Sequence, residues 1–202
     1  MFKTKNGFRF FLQSNLVLCF MILLLFVNYK QWGSDGSVTV IIFILGFEFL
    51  IILLSILACF SPKTNEANNQ NKTKRKWTKN EFIAMILALF VCTLIALPFL
   101  GINISIPSSY VSIILIANCI FAFFSIFVQK AVMILYQSNV HNECKSILDF
   151  FYKYMTILFS GINYHGQKVL SGLPFALNKL FAIVFLLVLL WQFFIPVGIF
   201  EQ

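Results

Sequence analysis

Long apolar runs separated by polar breaks set the pattern of this chain. Residues 10–29, 37–60, 81–102, 111–129 and 180–200 are built mainly from Leu, Ile, Phe, Val and Ala. A helix rises about 1.5 Å per residue, so about 20 apolar residues cross a hydrocarbon core of about 30 Å. A backbone in lipid must satisfy its own hydrogen bonds, which selects helices for runs of this kind. The pattern therefore predicts an all-α protein: a polytopic transmembrane helix bundle of five spans, forming one membrane domain over residues 1–202.

The breaks differ in character. Residues 1–14 carry Lys3, Lys5 and Arg9 and no acid. No small-residue cleavage pattern follows, so the first apolar run is expected to remain as a span. Tyr29 and Trp32 mark the first turn, where aromatic rings with a polar edge suit a membrane interface. Residues 61–80 form an Asn-rich, basic loop with Lys72, Lys74, Arg75, Lys76 and Lys79. Such a cluster attracts anionic lipid by about 1 kcal/mol per charge. Residues 103–110 form an uncharged hairpin after Pro98.

Residues 130–179 show no clear span. Within them Lys145, Asp149 and Lys153 recur every four residues, which on a helix gives one charged stripe with ion-pair spacing. Ile147, Leu148, Phe151, Tyr154, Met155 and Leu158 fill the other side. This predicts an amphipathic helix, interfacial or cytoplasmic. A sixth span over about 147–164 is the alternative, at the cost of burying Asp149 and Lys153.

Charge refines the picture. The chain has 15 Lys and Arg against 7 Asp and Glu. In five-span order all of these cations but Lys30 fall on the side of the amino terminus. That asymmetry predicts the amino terminus inside and the carboxyl terminus outside. It also accounts for the +8 net charge without nucleic acid as a partner. A bacterial inner (plasma) membrane is the expected location, with an organellar membrane as alternative.

Composition agrees: 60% of residues are hydrophobic and 11% charged, against about 25% charged in soluble domains. Four of the five cysteines (Cys19, Cys59, Cys92, Cys119) lie in apolar runs, and no CxxC spacing exists. Neither a disulfide framework nor a metal centre is indicated. His141, Glu143 and Cys144 lie close together, but no supporting catalytic pattern accompanies them. No enzymatic motif and no cofactor signature is present.

The residues that remain are polar groups inside apolar runs. Glu48 falls near the middle of its span, where an ionised carboxylate costs at least ~2–3 kcal/mol. Asn118 and Gln192 join it as candidates for interhelical contact or for an ion or solute path. Two functions follow. The first is an accessory or structural subunit of a membrane complex, packing against membrane-protein partners or itself. The second is an oligomeric channel or ion-coupled carrier centred on Glu48. An immunity-type inner-membrane protein is a third, by class analogy alone.

Overall fold

The computed structural model describes residues 4–60, 78–142 and 144–200. Among them are six α-helices: α1 Thr4–Phe26, α2 Gly36–Phe60, α3 Lys79–Leu100, α4 Ser109–His141, α5 Ile147–Leu170 and α6 Phe175–Phe200. A single 3-10 turn, Tyr29–Gln31, lies between α1 and α2. Five helices, all but α5, are long and apolar enough to cross a membrane. The protein is a helical membrane bundle.

Contacts fix the directions of the helices. Gly7 near the start of α1 lies against Ser55 and Cys59 near the end of α2. Gly36 at the start of α2 meets Ile199 at the end of α6, and Gly46 meets Gln192. Asn178 at the start of α6 bonds Gln129 of α4 at 2.9 Å. Thr93 of α3 and Tyr110 of α4 are 2.8 Å apart. Each of these pairs is antiparallel. The starts of α1, α3 and α6 therefore share one end of the bundle, as the five-span reading requires.

The opposite end is closed by side chains. Asn28 donates to the Ser105 carbonyl and the Ser108 hydroxyl, both at 3.0 Å. Ser108 in turn donates to the Leu24 carbonyl at 2.9 Å. The 103–110 hairpin is thereby fastened to the end of α1. Asn103 takes a positive φ of 61°, which Asn tolerates better than most residues. The core between α1, α2, α4 and α6 is apolar, centred on Met21, Leu25, Phe43, Leu115, Phe185 and Leu189.

Two boundaries differ from the sequence expectation. The first helix begins at Thr4 and ends at Phe26, earlier than 10–29, because Gly7 already packs on α2. The fourth span does not stop at 129. Its helix continues to His141 through a break at Val128, where φ is −125° and ψ is 46°. There is no Pro or Gly at this break. Side chains serve there instead, with the Lys179 ammonium donating to the Ile126 carbonyl. Side-chain insertion into the helical ladder is a recognised cause of kinks.

Candidate functional site

The predicted amphipathic helix is present as α5, and its two sides are used in an unexpected way. The inward side carries Ser160, Gly161, Asn163, Tyr164, Gly166 and Gln167, all buried. Leu148 and Ile157 are exposed instead. In water an amphipathic helix buries its apolar side. Here Phe150, Val169 and Leu170 are buried as well, so small and polar residues share the helix contact with apolar ones.

That contact is a polar seam with a repeat. On α4 it runs Asn118, Ala122, Ser125, Gln129; on α5 it runs Thr156, Ser160, Asn163, Gln167. Both follow a four-three-four spacing, the interval at which two helices stay in register along a left-handed seam. Asn118 is fully buried. Its amide donates to the Ile114 carbonyl at 2.7 Å and the Leu158 carbonyl at 3.3 Å. Its oxygen accepts from the Asn163 backbone N–H at 2.8 Å. The Asn163 side chain donates to Ser125 at 3.1 Å. Gln129 donates to the Gln167 side chain at 2.8 Å and accepts from Asn178. The pairs advance together, so the first arm of α4 and this part of α5 run in the same direction.

Beyond Val128 the second arm of α4 folds back along α5. Asn139 donates to Thr156 at 3.2 Å and Gln137 to Tyr164 at 3.1 Å. The Tyr136 and Tyr164 rings stack with centroids 3.9 Å apart. A second tie reaches α3: the Tyr154 hydroxyl donates to the Glu81 carboxylate at 2.6 Å. Glu81 is buried, and its backbone N–H is capped by Thr78 at 3.2 Å.

The three intramembrane candidates from the sequence do not form one cluster. Asn118 belongs to the α4–α5 seam. Gln192 is fully buried at the α2–α6 junction, and neither atom of its amide has a hydrogen-bond partner among the described residues. Glu48 lies on a different face of α2 from Gly46, the residue against Gln192. It is half-buried and belongs to a stripe with Val38, Ile41, Leu45 and Ile52, which are exposed. Leu45 on this stripe is 63% exposed. No hydrogen bond or ion pair to Glu48 occurs among the described residues.

The charged stripe of α5 includes the cap of its helix. Asp149 accepts from the backbone N–H groups of Ser146 at 2.8 Å and Lys145 at 3.1 Å, while Ser146 accepts from the Asp149 N–H. This is a capping box, which satisfies orphan donors at a helix start. The backbone N–H of Ser146, then that of Lys145, holds the Asp149 carboxyl below its ordinary range. Lys153 lies one turn further on. Of the basic loop, Lys79 is exposed at the start of α3, whereas Lys72, Lys74, Arg75 and Lys76 lie outside the described residues.

His141 closes α4 and Cys144 follows in the turn, donating to the Asn142 carbonyl at 3.6 Å. The His141 ring packs edge-on against Tyr136 and Tyr164. No group of three His, Cys, Asp or Glu side chains able to hold a metal converges among the described residues.

The seam is hard to see in the sequence because its residues are unremarkable one at a time. Asn118 stands out within an apolar run, but Ser125, Asn163 and Gln167 are common surface types. Their matched spacing on two helices is the available signal. Comparison with protein-family models, curated proteins and solved structures finds no match to this chain.

Proposed function

We propose that this protein is a non-enzymatic accessory or structural subunit of a membrane complex, acting through helix contacts with a membrane-protein partner. The observation that carries this reading is Glu48. Its carboxyl sits midway along an apolar helix, on the outward stripe, with no partner among the described residues. A carboxyl in that position is stabilised by a donor on another helix. Asn118 and Gln192 are buried within the bundle, so of the three intramembrane candidates Glu48 is the one available to a second chain. The charge asymmetry supports an amino terminus and a basic loop on the cytoplasmic face of a plasma membrane, with the loop against anionic lipid.

The test is the mass of the intact complex after gentle detergent extraction, for the parent, Glu48→Gln and Glu48→Leu. A complex with another protein is expected in the parent, kept in part by Glu48→Gln and lost in Glu48→Leu, with each variant still folded. A parent that runs as a lone chain overturns the reading.

A further inference from the structure

The break at Val128 holds the two arms of α4 apart, and α5 does not fill the space between them. A cavity of about 150 Å³ remains. Its walls include Phe121, Leu135, Tyr136, Tyr152, Met155 and Phe159. We propose that this cavity is a binding site for the acyl chain of an anionic phospholipid.

The chemistry of the walls argues for an apolar guest. Asn139 and Thr156, two of the polar residues at the cavity, are bonded to one another. Ser160 at the same wall donates to the Thr156 carbonyl at 2.9 Å. Walls that are mainly apolar favour an apolar guest over water. The cavity reaches the surface, since Leu135 and Tyr152 on its walls are 51% and 57% exposed. A lipid chain can therefore enter sideways, leaving its headgroup outside.

Charge selects the headgroup. Residues 129 to 170 carry Lys130, Lys145, Lys153 and Lys168 against two acids, Glu143 and Asp149. The Asp149 carboxylate is turned to backbone N–H groups at the start of α5. Lys153 immediately follows Tyr152. A phosphate held outside the cavity thus meets an excess of positive charge, worth about a fivefold gain in affinity per lysine.

The test uses the full chain, stripped of lipid in a nonionic detergent and then supplied with phosphatidylglycerol or phosphatidylcholine. Native mass measurement counts retained lipid, and thermal melting reads the response. Phosphatidylglycerol is expected to remain bound at one per chain and to raise the melting temperature, with phosphatidylcholine retained at least tenfold less. Leu135→Trp blocks the entrance at a half-exposed position. It is expected to melt like the lipid-free parent and to lose the response. Met155→Phe, which narrows the cavity from α5, gives a second check should the first variant misfold. Lys153→Gln is expected to lower phosphatidylglycerol retention about fivefold. Unchanged retention in a folded cavity-blocking variant overturns the proposal, as does equal retention of the two lipids.

Discussion

Two parts of this bundle join their helices by different means. Where α2 meets α1 and α6, helices approach closely at glycine: a Cβ on Gly7 would lie 2.6 Å from the Ser55 carbonyl oxygen, and one on Gly46 would overlap the Gln192 amide. Where α4 meets α5 and α6, the helices are tied by amides and hydroxyls from Asn118 to Asn178. Lipid tails are as apolar as Leu side chains, so apolar burial does not by itself select a neighbour in a membrane. Close backbone packing and polar contacts supply that selection. The difference teaches that a polar residue in an apolar helix has no single meaning here. Asn118 holds the chain together internally, Gln192 is tucked against a glycine, and Glu48 faces outward.

The largest effect is expected where there is least room. Gly7→Val puts a branched side chain against a backbone carbonyl that cannot turn aside. Overpacking of this kind costs about 3 kcal/mol, or about 10 °C in melting temperature for a chain of this size. Cys59→Ala in the same chain removes the sulfur contact at 2.5 Å but leaves the carbonyl, so rescue should be partial. Melting of the purified protein in a mild detergent checks both. A tolerated valine would mean that α1 is not held by close packing.

Asn118→Leu probes the other kind of join. It removes the bonds to the Leu158 carbonyl and the Asn163 N–H while nearly keeping volume. A loss of about 2 kcal/mol is expected, read as about 6 °C in the same assay. Asn163→Leu keeps the backbone N–H that Asn118 holds and removes the neighbouring bond to Ser125; side by side in one helix contact, the two losses should fall short of additive. Full additivity in the double variant would show that the seam is a set of separate bonds.

Gln192→Leu should behave in the opposite way. Its amide has no hydrogen-bond partner among the described residues, so leucine removes a desolvated polar group and no bond. Stability is expected to hold or to rise by about 1 kcal/mol. A loss matching that of Asn118→Leu would show that the amide has a partner in the membrane, and the contrast between the two regions would fail.

The five spanning helices were legible because a run of about 20 apolar residues matches the thickness of a bilayer and exceeds what a soluble core of this size needs. Their antiparallel order followed from short connections and from the distribution of Lys and Arg. The continuation of α4 past 129 was legible in the apolar residues 131–136, but its reach to His141 and its break were not. No local breaker marks the break at Val128, and the Lys179 ammonium that meets the Ile126 carbonyl there is about fifty residues away in sequence. The inward side of α5 was hidden for a related reason. Ser160, Asn163 and Gln167 are buried by the approach of α4, and polar types of this kind do not by themselves mark a buried face. Of the candidate residues, Glu48 was visible as a lone acid, but its outward position required the packing of α1 and α6 around α2. Glu81 sits at the edge of its span, where an acid marks a boundary; its bond to Tyr154 comes from the approach of α5.

The smallest effect separates the cap of α5 from its seam. Asp149 is held below its ordinary pKa of 3.8, first by the backbone N–H of Ser146 and then by that of Lys145. A carboxyl with a lowered folded-state pKa contributes stability that is fully present above the ordinary value. That contribution is lost as pH falls through the lowered one. Near neutral pH, Asp149→Ala should leave the melting temperature almost unchanged, since the group is exposed and the buried seam lies further along the helix. It should speed hydrogen exchange at the backbone amides of Lys145 and Ser146, with Asp149→Asn intermediate because its amide oxygen still accepts one bond. Compared at equal pH, parent and Asp149→Ala should converge as the pH is taken below 3.8. A difference that persists in acid would mean that the cap works without the charge. Faster exchange spreading to Asn163 and Gln167 would mean that the seam depends on the cap, and the two regions of α5 would then be one.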